Sequence, residues 1–168
     1  MDKALAALKY IIPILEKYNF RWVITGGFAC YVYGVDRPIT DIDVDISTSK
    51  DSSEFNKFIE KVRPYQTQAL EHFVDQNYGN YNMELTYEGQ VLDICPMAEM
   101  NVFDQAQGKY VNFYEEGLPD IELVKFCDIE LPLLSKELII KNKEMLVWKR
   151  DSDLKDIEGL KKLQAKVL

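Results

Sequence analysis

The sequence predicts an α/β fold of the α+β kind, a mixed β-sheet with helices packed on it and a helical C-terminal part. Three observations carry this. Helical and strand-like patterns alternate through the first 62 residues. Two strand patterns then meet at Glu88-Gly89, a two-residue turn that makes them antiparallel neighbours. The last third offers two helix caps, Ser135 and Ser152, each ahead of a helical run. Such a mixed order builds a layer of strands covered by helices.

The elements follow in chain order. Leu5, Leu8, Ile12 and Leu15 recur at helical spacing and predict a helix from about Lys3 to Lys17. Phe20 to Thr25 reads as a short buried strand closed by Gly26-Gly27, and Phe28 to Tyr33 as a short helix stopped by Gly34. Thr40 to Ile46 alternates cleanly, as a strand does. Ser52 or Ser53 caps a helix whose inner face carries Phe55, Phe58, Ile59 and Val62, with Pro64 ending it. Strands are expected at Tyr81–Tyr87 and Gln90–Cys95, a helical piece after Met97, and a strand near Lys109–Phe113. Ile129-Glu130-Leu131 reads as an extended piece before Pro132. The two final helices are expected from Lys136 to Trp148, and from a Ser152 cap to the C-terminus.

With 168 residues and no repeat or Gly/Ser-rich linker, a single domain is the expectation. No apolar run approaches the roughly 20 residues that span a bilayer. The N-terminal run is broken by Lys9 and Pro13, so it reads as a helix of the mature protein and not as a signal peptide. Cys30, Cys95 and Cys127 are odd in number and far apart, which argues against a disulfide framework and a structural zinc site. A cytoplasmic location is expected. The net charge of -8 repels nucleic acid in general and does not favour it as a partner.

TDIDVDIS, residues 40–47, is the most informative stretch. With a period of two, Ile42, Val44 and Ile46 face the core while Asp41, Asp43 and Asp45 share the other face. Neighbours on that face stand about 6.7 Å apart. At an effective dielectric near 20, each carboxylate pair repels by roughly 2.5 kcal/mol. Aspartate is also a poor strand former. A face that only had to be polar would carry Thr, Lys or Glu, so the repeated aspartates ask for a cation. Hard oxygen ligands with room for water and phosphate suit magnesium, with manganese as the alternative ion.

Asp93 is a third acidic residue, inside the apolar run Val91 to Cys95. The hairpin turn pairs Tyr87 with Gln90 and so sets Glu84 opposite Asp93. Met83, Leu85, Leu92 and Ile94 then form a core face, and Asp93 emerges on the other. If its strand neighbours the aspartate strand, three carboxylates converge. Glu84, one strand further out, reads as structural. Gly26-Gly27, between a strand and a helix, has a physical use beside them. Without Cβ atoms the backbone can approach a phosphate, and helix-terminal N–H groups supply donors.

Together VITGGFACYVYGVDRPITDIDVDIS and the later LDI resemble the DNA polymerase β-type nucleotidyltransferase superfamily. Its signature is a hydrophobic residue, Gly-Gly or Gly-Ser, a helix, then Asp-x-Asp or Asp-x-Glu between apolar residues. Thr25-Gly26-Gly27 and Asp41-Ile42-Asp43-Val44 match it, Arg37 precedes the acid pair, and Asp93 matches the third family carboxylate. Gly27 stands where the Gly-Ser variant has serine, and Asp45 extends the pair to three. The specific part covers residues 20 to 95. The remainder is similar to small stand-alone bacterial and archaeal members, including antibiotic-modifying and abortive-infection-type toxin branches. Those carry an R-x-K-D-x-x-D-I-x-x-L run. Arg150, Asp153, Leu154, Asp156, Ile157 and Leu160 match it, with Ser152 where a lysine is expected. The family lysine of the preceding helix corresponds to Lys141 or Lys143.

The resemblance implies transfer of a nucleoside monophosphate from a nucleoside triphosphate such as ATP to a hydroxyl acceptor, releasing pyrophosphate. Asp41 and Asp43 would hold magnesium, and Asp93 would complete a second metal site or accept the acceptor's proton. Gly26, Gly27 and Arg37 would bind the nucleotide. The acceptor, whether small molecule, protein or RNA end, is unreadable, and an antitoxin-type partner would need a second gene to show it. The alternative is a catalytically degenerate nucleotide-binding or interaction module of the same fold. Other residues read as structural. His72 reads as packing, Trp22 and Trp148 as core, and Lys161, Lys162 and Lys166 as a solvated face of the last helix. Tyr78, Tyr81 and Tyr87 offer stacking surfaces without a way to choose among them.

Overall fold

The computed structural model describes residues 1–117 and 121–165. Within them lie five α-helices, α1 (Asp2–Lys17), α2 (Gly26–Tyr33), α3 (Ser53–Val62), α4 (Lys136–Met145) and α5 (Asp151–Ala165). The strands are β1 (Trp22–Thr25), β2 (Asp41–Ile46), β3 (Gln66–Val74), β4 (Gly79–Tyr87), β5 (Gln90–Pro96), β6 (Asn101–Asp104), β7 (Lys109–Asn112), β8 (Ile121–Phe126) and β9 (Ile129–Leu134). Seven of them form one sheet in the order β3-β4-β5-β2-β1-β9-β8, and β6 pairs with β7. β2 runs parallel to β5 and antiparallel to β1, so the sheet is mixed, as expected.

The central register decides what the two faces carry. Ile42 pairs with Leu92 and Val44 with Ile94, while Leu85 and Met83 pair with the same two residues from the other side. All six are fully buried, giving an apolar face three strands wide. The alternate residues put Asp43 beside Asp93 and Glu84 opposite Asp93, as the hairpin register predicts. The turn that fixes this register has Glu88 at φ 48 and Gly89 at φ 76, both left-handed.

Local chemistry sets the helix ends. Ser52 is the cap of α3, its hydroxyl accepting from Phe55 N–H at 3.1 Å. Ser135 caps α4 through Leu138 N–H, and Gly34 closes α2 at φ 105. α3 stops at Val62, and Pro64 sits inside a short 3-10 turn that follows.

Several expectations are corrected. β3 lies where no element was expected, because its sequence has few apolar residues to mark an inner face and Glu71 to Val74 are exposed at the sheet edge. β8 was likewise not foreseen. β9 runs on through Pro132, which pairs with Leu123. After Met97 there is only a 3-10 turn before β6. The buried face of α1 uses Ala4, Ala7, Leu8, Ile11, Ile14 and Leu15, so Leu5 and Ile12 sit at its margins. α4 ends at Met145, and Trp148 is 56% exposed and not core. Ser152 falls within α5, whose start is instead held by the Asp153 carboxylate accepting from Arg150 N–H at 3.0 Å. Lys161 and Lys162 pair with Glu144 and Glu158, while Lys166 lies outside the described residues.

Candidate active site

The acidic face of β2 and β5 floors a cleft of about 540 Å³. The Gly26-Gly27 turn, Arg37, the β3–β4 pair, α4 and the start of α5 line its walls. Every residue singled out from the sequence, Asp41, Asp43, Asp93, Gly26, Gly27 and Arg37, lines this one cleft.

The carboxylates are held differently. Asp41 accepts from Thr40 Oγ1 at 2.7 Å. Asp93 accepts from Asn82 Nδ2 at 3.1 and 3.3 Å. Asp45 is buried and receives the hydroxyl of Tyr114, which reaches it from the connection after β7. Among the described residues, no hydrogen bond reaches the Asp43 carboxyl group. Burial first, then the carboxylates of Asp41, Asp93 and Asp45, push Asp43 up to about 8. Burial raises Asp45 to about 7 against the Tyr114 hydrogen bond, and Asp93 to about 6 against that of Asn82.

These carboxylates do not form a ready-made metal cage. Among the described residues, no three Asp, Glu, His or Cys side chains close around one point. What exists is an excess of negative charge around an unbonded Asp43, open toward the cleft. That fits magnesium, which takes one or two protein carboxylates and completes its shell with water and phosphate oxygens. Asp41 and Asp43 would hold it, and Tyr114 occupies Asp45.

The glycine turn serves its neighbours directly. Gly26 has φ +61, and a Cβ there would fall on the Asp43 carboxyl group, 2.6 Å from Cγ. A Cβ on Gly27 would lie 2.5 Å from Arg37 Nη1. The room that each glycine leaves for want of a Cβ is filled by one of these side chains.

Sequence reading left the basic side of the site open. Lys143, not Lys141, is the buried lysine, with its ammonium 2.6 Å from Asp153 and 3.0 Å from Asp156. Asp156 also binds Arg37 at 2.5 Å, and Arg150 reaches Asp153 at 3.0 Å. Both aspartates are 1% exposed. Burial alone would raise Asp153, but the Arg150 and Lys143 hydrogen bonds hold it well below the usual carboxylate range. Burial opposes the charge of Lys143 too, and the two aspartates raise it regardless. The signal that could have found this network was the R-x-x-D-x-x-D spacing. One turn of helix puts Asp153 and Asp156 on one face.

A mixed sheet carrying a strand, a Gly-Gly turn, a helix and then an acidic strand beside a third carboxylate defines the nucleotidyltransferase fold. The chain has that fold. It superimposes on a Thermotoga maritima protein described as a candidate nucleotidyltransferase, with a TM-score of 0.66 and 16% identity, over 99% of this chain and 93% of that one. An antigenic nucleotidyltransferase-like protein of Paracoccidioides brasiliensis matches with a TM-score of 0.59 and 16% identity, over 96% of this chain and 77% of that one. The antibiotic-resistance factor ANT(2″)-Ia, solved with adenylyl-2″-tobramycin, matches at 0.57 and 16%, over 96% and 94%. No family model and no curated protein matches the chain.

Proposed function

We propose that the chain transfers a nucleoside monophosphate from a nucleoside triphosphate to a hydroxyl acceptor, with release of pyrophosphate. The observation that carries this reading is the register of Asp43 with Asp93, beside Asp41 and the Gly26 turn, in one cleft. Asp41 and Asp43 would hold the magnesium ion that accompanies the triphosphate. Bound there, it would supply Lewis-acid neutralisation of negative charge on the phosphoryl oxygens. The N-terminus of α2 presents backbone N–H groups to the same place.

The acceptor oxygen attacks the α-phosphorus, the bond to the bridging oxygen breaks, and pyrophosphate leaves. Asp93 takes the acceptor's proton. Its two Asn82 contacts fix its direction, and a proton affinity displaced toward neutrality suits a general base. Lys143 and Arg37 add positive potential on the glycine side, held in place by Asp153 and Asp156. Most of the rate gain in such chemistry comes from positioning and electrostatics, which this rigid set can supply. The closeness of the fold to that of ANT(2″)-Ia, which was solved with an adenylylated product, supports the reaction class.

The test is incubation with each labelled nucleoside triphosphate, magnesium and cell extract. A labelled product that disappears in Asp43→Asn supports the reading. Binding of magnesium nucleotide without any product, across all four nucleotides, supports the non-catalytic module instead.

A further inference from the structure

Three aspartates follow one another on β2 at equal spacing, so the strand offers an ion two neighbouring pairs, Asp41 with Asp43 and Asp43 with Asp45. The members of either pair stand about 6.7 Å apart. All three residues line the cleft. The strand period does not choose between the pairs, and the choice matters. Thr25 pairs with Asp43 and Gly26 opens α2 directly after it, so Asp41 lies on the side of the glycine turn. Asp45 pairs with Val23 and Cys95, away from that turn. An ion drawn to Asp45 would leave the N–H groups of α2.

A residue from outside the strand separates the two pairs. Asp41 and Asp43 are half-buried, whereas Asp45 is 3% exposed and receives the Tyr114 hydroxyl from 69 residues along the chain. Tyr114 is itself 7% exposed, and its placement is built by the turn after β5. Asn112 Nδ2 donates to Met97 O and Ala98 O, both at 3.0 Å, and Asn112 Oδ1 accepts from Tyr114 N–H at 2.8 Å. Phe113 N–H donates to Met100 O at 2.8 Å. Pro96, the last residue of β5, pairs with Ile46, so this turn stands at the Asp45 end of β2. The end of the β6–β7 pair thus delivers one hydroxyl to one of three equivalent aspartates. A carboxylate that already accepts a buried O–H must give up that bond, or share an oxygen, to join a cation.

Resting on the metal-dependent transfer proposed above, we infer that Tyr114 is a positioning residue that withholds Asp45 from the magnesium shell and so fixes Asp41 and Asp43 as its ligands. Tyr114 acts through Asp45 and not on the substrate. The β6–β7 pair, which lies outside the main sheet, acquires a part in the site by carrying it.

The experiment titrates Mn2+ into the metal-free full chain and reads the free ion by its EPR signal. Absence of binding by the wild type would overturn the metal-dependent reading and this assignment together. Asp41→Asn and Asp45→Asn are then compared. Each removes one charge at the same spacing from Asp43, so long-range attraction falls about equally and only the loss of a ligand tells them apart. With Tyr114 in place, Asp41→Asn should weaken Mn2+ binding at least about tenfold more than Asp45→Asn does. Tyr114→Phe keeps the ring and removes the hydroxyl, which frees Asp45 to serve. In that background the gap between the two aspartate variants should close to within about threefold. A merely structural Tyr114 would lower the urea midpoint without moving the gap. Equal losses from the two variants with Tyr114 in place, a larger loss from Asp45→Asn, or an unchanged gap in Tyr114→Phe would each overturn the assignment while leaving Asp43-dependent metal binding standing. Should Tyr114→Phe fail to fold, the comparison made with Tyr114 in place still decides.

Discussion

The Asp43 carboxyl group lies in the space that a Cβ on Gly26 would occupy. Gly26 opens α2 directly after β1, Asp43 lies in the middle of β2, and Thr25 pairs with Asp43 across the ladder. The glycine is thus required twice, by the left-handed φ of +61 and by the carboxylate beside it.

Gly26→Ala should therefore lose both the fold's local geometry and its metal. The left-handed conformation alone costs about 1–2 kcal/mol for a residue with a Cβ. Displacing Asp43 adds to that. A urea melt should show the loss, and magnesium-dependent ATP binding should fall at least about tenfold in the folded fraction. Gly27→Ala should act on Arg37 instead, weakening its pair with Asp156. If Gly26→Ala bound magnesium ATP as the wild type does, the close approach of Asp43 would have no functional meaning.

The carboxylate cluster makes a pH prediction with a definite sign. Asp43, Asp45 and Asp93 all have folded-state pKa values above the ordinary 3.8, at about 8, 7 and 6. Below pH 4 both states hold these protons, and no stability is lost. Between about pH 4 and 8 the unfolded chain releases them while the folded chain keeps them, so stability falls as pH rises. The slope is about 1.4 kcal/mol per pH unit for each proton retained. Asp153 works in the opposite direction, but only in acid, because its pKa is depressed. Urea midpoints without magnesium should drop steadily from pH 5 to 8, and magnesium with ATP should recover much of the loss at pH 8. A flat profile would show that the cluster is better compensated than its geometry implies.

Asp43→Asn separates the two consequences of that charge. Removing the most strained carboxylate opens no cavity and relieves repulsion from three neighbours. The metal-free protein should gain roughly 1–3 kcal/mol at pH 8. Magnesium-dependent triphosphate binding should vanish. A variant that is both less stable and still able to bind would count against this assignment.

The buried network under the cleft is a matter of stability before function. Lys143→Met would leave Asp153 and Asp156 with less compensation in a site where each is 1% exposed. Breaking such a pair from one side costs about 3–5 kcal/mol. Denaturant unfolding should show a loss of that order. Lys143→Met combined with Asp153→Asn should lose less than the two single changes together, because the partner left behind is then uncharged. Strict additivity would mean that the two groups do not interact.

These contrasts show where the sequence was legible. The acidic strand, the Glu88-Gly89 turn and the Glu84–Asp93 register follow from period and turn chemistry, both local, and the sheet obeys them. The neighbour relation of β2 and β5 was a condition in the sequence, since 43 intervening residues separate them and pairing is not a local property. β3 carries no apolar period in the sequence, since its inner positions include Gln66 and Gln68 while Phe73 and Val74 are exposed. Lys143 and Lys141 could not be told apart. Two residues on a helix differ by about 200° in direction, and only the position of Asp153 decides which is inside. Trp148, expected in the core, is exposed, and its hydrogen bonds with Asn77 hold only its backbone.

Asp93→Asn asks whether the third carboxylate acts in the reaction or only in the architecture. Its side chain shares the cleft with Asp41 and Asp43, while Leu92 and Ile94 on either side of it are fully buried. Asparagine keeps the shape and can still bond to Asn82 after that amide turns over. What it loses is the ability to take a proton. Nucleotide binding should survive, since Asp41 and Asp43 still hold the accompanying ion. Turnover should fall by about a hundredfold or more, the scale for losing a positioned base. The pH profile adds a readout that a structural role would not move. The rising limb of the wild-type rate reports deprotonation of the base and of Asp43, and the part owed to Asp93 should disappear in the variant. A loss of nucleotide binding equal to the loss of turnover would make Asp93 a metal ligand first, and the proton would then have to leave by another group.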